Sequence, residues 1–452
     1  MVNQSSAKLF TRRDFMRTGA AAGGLVAMSA LLGACGRADD ASGVPVGAPG
    51  TNFTGQLGLL LGSHMTEIQA LSGEYGSQFG TSVNVQEITS PDLRSVLTTA
   101  FLAQRSPWDA AFSVANVAQE LGSRGWAKSA NAFLDASVRP RGQLMENGMA
   151  PVRLGDTELG VPWSMGAPLM HWNRQLMEEV GLDPDAPKRW HEQQNSWDEF
   201  VEYAKAMTFT RDGVNYYGFT DAWGGSAHSL WTWGSLLQMH GGRFLDEDKQ
   251  PIFNSDAGVE ATMKMYELLN THKVVDPAVN TYTWVFDAAP GFLGGQRGMF
   301  FSWPFMAGVA ADPGGSEIAG FSDVAPQPAV DTSASVDGSE YLVIPAFAEN
   351  EDEGWRFLEY ITSPEAQKRI ALTGWASIYA DVNLDPDVLD AHPVYESLVK
   401  SYEYPVDGGF SEDREIWASI LQNQIQEVLG DRKSAKEALD DAVRLIADER
   451  AA

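Results

Sequence analysis

Short apolar runs of strand length alternate with longer stretches of helical period along most of the chain, the pattern of an α/β protein. Gln56–Leu61 and Ser82–Gln86 read as strands, with Thr66–Phe79 between them as a helix. Ser90-Pro91-Asp92 supplies a cap, a proline at the first helical position and an early acid, after which Leu93, Leu97 and Ala100 fall on one face. Asp109–Phe112 and Tyr216–Phe219 are further strands, and Gly160–Trp163 closes the first region. Ser196 and Glu199 form a capping box ahead of Phe200, Val201, Ala204 and Met207. Ser363-Pro364-Glu365 opens a helix as Ser90 does. A second box, Ser434 with Glu437, opens a C-terminal helix whose apolar face is Leu439, Val443 and Ile446.

The N-terminus follows a different pattern. Arg12-Arg13 precedes Phe15, and an apolar run from Gly19 ends in Leu32-Gly33-Ala34-Cys35. This looks like a twin-arginine export signal with a lipoprotein box, so residues 1–34 are expected to be removed and Cys35 acylated. The run is shorter than the roughly 20 residues of a spanning helix. Cys35 is the chain's only cysteine, which leaves lipid attachment rather than a disulfide as its expected role. Residues 35–52, rich in Gly, Ala, Asp and Pro, read as a flexible tether, and the folded part begins near Phe53. What remains exceeds the usual size of one domain, so two are expected. Subtracting the net +3 of residues 1–34 from −28 leaves −31, which disfavours nucleic acid or an anionic membrane surface as partner.

Six segments in order extend the reading. They are Gly160–Trp163; Leu169–Arg174 with Glu179–Pro184; Trp197–Phe200; Gly241–Phe244 with Phe253–Ser255; Phe292–Met299 leading to Trp303-Pro304; and Trp355–Gln367. Together they resemble the extracellular solute-binding proteins of ABC importers, in the branch that mostly binds sugars, over nearly all the mature chain. The resemblance implies a two-lobed periplasmic-binding-protein fold of type II, with lobe 1 from 53–166 and 304–340 and lobe 2 from 167–303 and 341–452. Three hinge crossovers are implied near Met165–Ala167, Phe300–Trp303 and Gly338–Tyr341, with the ligand in the cleft between lobes. It further implies a small carbohydrate as ligand, permease subunits of an ABC transporter as partner, a membrane reached only through the lipid anchor, a monomer, and no cofactor or metal. Two departures stand out: Lys188–Asn195, with Trp190, reads as a surface insertion, and Ser377 occupies the place of a proline soon after Gly374, beside Trp375.

A sugar presents flat C–H faces and many hydroxyls, so its site calls for aromatic rings and a few placed polar groups. Trp163, Trp303 and Trp375 lie near the implied crossovers or after a glycine, and Trp223 lies in the loop Asp221–Gly225; all are candidates together with Asp221. Trp231 and Trp233 precede a helical run and read as structural, while Trp108, Trp126, Trp172, Trp197, Trp355 and Trp417 read as core. His64 follows the first strand at the end where open α/β sheets bind ligands, and Asn116 has the same claim after the third. Gly338, Ser339 and Glu340 mark the last implied crossover. Arg414 reads as a surface charge; with Arg297 it is the only cation to suggest for a phosphorylated ligand. An enzyme is the rival class. The seven histidines include no pair at metal-helix spacing, and HExxH, Gly-x-Ser-x-Gly and phosphate-loop motifs are absent. A carboxylate-pair glycosidase, a polyol or glycerol phosphate ligand, and coupling to a sensor instead of a transporter remain as alternatives.

Overall fold

Two five-stranded sheets organise the chain. The computed structural model describes residues 44–224 and 228–452, with the backbone alone at Pro91; the expected signal, Cys35 and the first part of the expected tether lie outside the described residues. The strands are β1 (Gln56–Gly62), β2 (Ser82–Ile88), β3 (Ala110–Val114), β4 (Arg153–Leu154), β5 (Thr157–Glu158), β6 (Val161–Ser164), β7 (Leu169–Asn173), β8 (Phe209–Arg211), β9 (Val214–Thr220), β10 (Arg297–Ser302), β11 (Ser322–Ala325) and β12 (Glu340–Val343). The first sheet runs β2-β1-β3-β12-β6 and the second β11-β7-β10-β9-β8, while β4 and β5 form a hairpin.

Registers put the chemistry-bearing ends together. In the first sheet β1 is parallel to β2 and β3, and β12 is antiparallel to β3 and β6, so Glu340 pairs with both Val114 and Ser164. The C-terminal ends of β1, β3 and β6 and the start of β12 thus share one edge. In the second sheet β10 is parallel to β9 and antiparallel to β7, which sets Ser302 opposite Leu169 and Phe300 beside Thr220. Because β7 begins directly after β6, the first crossover, residues 165–168, joins the carboxyl edge of one sheet to that of the other. This is the edge at which open α/β sheets take ligands.

Several local expectations are met. The helix Thr66–Phe79 forms between β1 and β2, ending on Gly80 at φ 66°, where a residue without Cβ enters the left-handed region at least cost. Ser363 and Ser434 cap their helices, accepting from Ala366 N and Glu437 N. The box expected at Ser196 does not form: Asn195, at φ 62°, takes the cap position, and the Ser196 hydroxyl instead donates to Trp190 O at 2.6 Å and accepts from Ala329 N at 2.9 Å.

The lobe boundaries differ from the expected ones. One core joins Leu59, Leu97, Phe112 and Trp163 to Tyr341, Trp355, Ile370 and Tyr402, so residues 341–406, expected in lobe 2, pack with lobe 1. Residues 304–325, expected in lobe 1, stay with lobe 2: Met306, Ala310 and Ile318 cluster with Phe292 and Phe300, and β11 pairs with β7. No crossing therefore occurs at Phe300–Trp303, because the chain leaves β10 through a helix (Phe305–Ala311) and returns to the same sheet. The second crossing spans 326–339, and the third lies between Val406 of the first core and Trp417 of the second. Residues 44–52, expected to be flexible, are docked: Val44 is fully buried, Val46 bridges Ser129, and Gly50 and Asn52 donate backbone N–H to Asp352. The stretch 188–195 is exposed except at Trp190 and His191, and Trp190 anchors it, fully buried against Phe200 and Tyr203.

Candidate functional site

Four of the candidates collect at the carboxyl edge of the first sheet. His64 follows β1, and its Nε2 lies 2.8 Å from Glu340 Oε2 at the start of β12. The imidazole sits 5.1 Å from the Trp375 ring and 6.2 Å from the Trp163 ring, and those two rings are 5.2 Å apart, with Phe112 edge-on beneath the histidine. Gly374, at φ 100°, turns the chain so that Trp375 enters this group; a side chain there would be strained. Ala376 O then accepts from Ser164 Oγ and Met165 N, tying the loop to the first crossover. Trp163 is buried, and its indole N–H has no partner among the described residues.

A second aromatic group belongs to lobe 2. Trp303 directly follows β10 and meets Trp231 edge-to-face at 4.9 Å; Trp231 meets Trp284 at 5.6 Å, and His228 lies within 5.4 Å of the Trp231 and Trp284 rings. Such geometry suits the ring quadrupoles. Local bonds hold it. Asp287 accepts from the backbone N–H of Thr283 and Trp284, contacts that keep its carboxyl below the usual range and fix Trp284 at the helix entry. His171 in β7 donates to Ser302 O at 3.3 Å, pinning the strand end before Trp303; burial pushes its imidazole down to about 4, so it stays neutral. The Trp303 indole N–H is also buried without a partner among the described residues, and the ring lies against the hinge glycines Gly166 and Gly338.

The remaining candidates take other places. Asn116 Nδ2 donates to Glu415 Oε1 at 2.7 Å, a contact from the first-sheet edge to a helix (Arg414–Leu429) of the second core. Ser339 is buried, with its hydroxyl on Asp337 and Tyr402. Asp221 and Trp223, expected in the cleft, are core residues. The Asp221 carboxylate accepts from Ala222 N, Trp223 Nε1 and Thr232 Oγ1 and meets His228 Nε2, and Trp223 is fully buried beside Phe219. A buried carboxylate with several donors fastens a loop into the interior. Arg414 is no surface charge: it is buried over Phe410 and Trp417, and desolvation lowers its guanidinium to about 10. Arg297 is engaged by Asp276 at 2.6 Å. Trp231 and Trp284, which sequence reasoning left out of the site, join the aromatic group beside Trp303; the signal available was a tryptophan next to a helix entry in each case.

Chemically, the two groups offer aromatic faces, one histidine–carboxylate pair and two indole donors. No lysine or arginine stacks on these five tryptophans or pairs with Glu340 among the described residues. Open grooves along the helix Thr66–Phe79 and between Trp197 and His272 are lined mainly by exposed charged or small polar residues and hold none of these rings.

A family model described as bacterial extracellular solute-binding protein matches residues 62–368. A probable amino-acid ABC transporter periplasmic-binding protein of Sinorhizobium fredii is 26% identical over 242 residues, 53% of this chain and 52% of that protein; the chain thus spans about half the length of such curated relatives. Among solved structures, maltose-bound MalE3 of T. maritima superposes with a TM-score of 0.72 at 20% identity, over 87% of this chain and 99% of the other. A solute-binding protein of Agrobacterium radiobacter in complex with ribitol gives 0.70 at 18% identity, over 88% and 98%. At these identities the likeness establishes the fold.

Proposed function

Because the chain belongs to the bacterial extracellular solute-binding proteins, we propose that it captures a neutral polyhydroxylated solute, a mono- or oligosaccharide, between its lobes and delivers it to an ABC permease. Family membership sets it among binding proteins rather than enzymes. The observation that carries the choice of ligand is the pair of aromatic groups flanking the crossovers, each with a buried indole N–H that no described residue accepts. An unpaired buried donor costs about 1–3 kcal/mol, which a ligand hydroxyl or ring oxygen would offset. Rings of this kind stack on sugar C–H faces, while the His64–Glu340 pair suits hydroxyls.

A free amino acid, the ligand class in the Sinorhizobium relative's name, would need a cation for its carboxylate. So would glycerol phosphate, and Arg297 is already engaged. A polyol such as the ribitol of the Agrobacterium protein shares the favoured chemistry and is the second reading. Thermal shift against maltose, a longer maltodextrin, ribitol, glycerol 3-phosphate and a set of L-amino acids decides between them. A carbohydrate at a hundred times its Kd adds about 2.7 kcal/mol of stability; a shift with amino acids alone would overturn the reading.

Tethering at Cys35 belongs to the same proposal, resting on Leu32-Gly33-Ala34-Cys35. Cys35→Ala is expected to abolish palmitate labelling and leave precursor or unanchored protein, and undiminished labelling would refute the anchor.

A further inference from the structure

We infer that Asp337 is the positioning residue of the hinge, its buried carboxylate gathering Ser339, Tyr341 and Tyr402 so that the first two crossovers move as one unit. Asp337 is 1% exposed and accepts from Ser339 Oγ at 2.6 Å, Ser339 N at 3.0 Å, Tyr402 OH at 2.6 Å and Tyr341 OH at 3.3 Å. No cation pairs with it among the described residues. Its own backbone N–H donates to Val406 O at the head of the third crossing, and Gly338 N donates to Gly166 O in the first. Every crossover is therefore within one or two hydrogen bonds of this carboxylate.

The Tyr402 hydroxyl links protonation to geometry. It has one proton and three acceptors within reach, Asp337 Oδ1 at 2.6 Å, Ser339 Oγ at 2.9 Å and Gly166 O at 3.0 Å, and itself accepts from Gly166 N at 3.1 Å. An ionised Asp337 claims that proton. A protonated Asp337 releases it, and Tyr402 then donates to Gly166 O while accepting from Gly166 N, clasping the first crossover on both sides of one residue. Burial, opposed by the hydroxyl donors, pushes the Asp337 carboxyl up to about 6. Tyr341 and Tyr402 are pushed well above their ordinary range by burial and stay protonated. They are the titratable groups that face the carboxylate. The segments 165–168 and 405–406 carry none, and Glu340, Glu403, Asp407 and Glu146 on the neighbouring elements are turned to His64, Lys400, Gly409 and Arg139.

The sign follows from hydration. If the lobes swing and water reaches Asp337, its carboxyl returns towards 3.8, the ordinary value. The arrangement seen here thus binds the proton more tightly, is favoured by acid, and loses that contribution as pH rises from about 4 through 6. A shift of about two units limits the effect to about 100-fold in the equilibrium.

The test uses the ligand-free full chain, so its failure would leave the carbohydrate reading intact. Amide protection of 165–167, corrected for intrinsic exchange, and the small-angle radius of gyration are followed from pH 4.5 to 8. Wild type is expected to lose protection between about pH 4 and pH 6, with a midpoint of about 5, whereas Asp337→Asn gives a flat profile. Should Asp337→Asn fail to fold, Ser339→Ala serves: removing a donor to the carboxylate moves the midpoint upward. A purely structural role would lower protection equally at every pH. A flat wild-type profile, or an unmoved midpoint in both variants, overturns the proposal.

Discussion

Trp223→Ala is expected to lower the unfolding free energy by about 3–5 kcal/mol while leaving carbohydrate affinity nearly unchanged, and Trp375→Ala to do the reverse. The two tryptophans both sit in glycine-containing loops, yet one is fully buried and the other only partly. Trp223 packs on Phe219 in the second core, its indole N–H donates to Asp221 at 2.8 Å, and its carbonyl accepts from Gln426. Truncation leaves a cavity and an under-used buried carboxylate, both costly. Trp375 instead rests on the rim of the first core, facing His64 and Trp163. About 100 Å² of sugar contact at about 25 cal/mol per Å² corresponds to about 2.5 kcal/mol, roughly 70-fold in Kd. Calorimetric titration with the carbohydrate that gives the largest thermal shift, beside urea unfolding of each variant, reads both quantities. An affinity loss in Trp223→Ala with retained stability would return that residue to the cleft.

This pair shows where the sequence stops being legible. Periodicity and caps locate elements because their causes are local: the helix Thr66–Phe79 and the Ser363 cap depend on residues within a few positions. The edge location of His64 was also readable, since strand ends in an α/β order fall at one edge, whereas Glu340, at the start of an antiparallel strand, was reached only through the crossover that the resemblance implies. Whether a loop tryptophan points inward is decided by a partner, here Asp221, whose own burial depends on Thr232 and His228 further along the chain. Lobe membership is non-local in the same way. The run after β10 contains nothing that distinguishes a return to its own sheet from a crossing, and only the pairing of β11 with β7 decides it. Trp231 reads as structural and Trp284 goes unnamed because their grouping is non-local: Trp231 meets Trp303, distant in sequence, and Trp284 meets Trp231.

Gly338→Ala is expected to weaken carbohydrate binding by at least about tenfold through Trp303, without direct contact between residue 338 and ligand. A Cβ built on Gly338 would stand 2.0 Å from Trp303 Cη2 and 2.3 Å from Cζ3, closer than atoms can approach. The indole is 8% exposed and held edge-on by Trp231, so it cannot yield like the end of a flexible side chain. Either the ring tilts and the Trp303–Trp231 contact breaks, or the second crossover moves away from Gly166, to which Gly338 N donates at 2.7 Å. Overpacking of this kind typically costs about 1–3 kcal/mol. The mechanism is specific enough to isolate: in a Trp303→Ala background the indole atoms that clash with the added methyl are gone, so a double-mutant cycle is expected to return a coupling of about 1–3 kcal/mol in binding. Additive losses would mean that Gly338 acts through its backbone alone and that the indole does not transmit hinge geometry to the ligand.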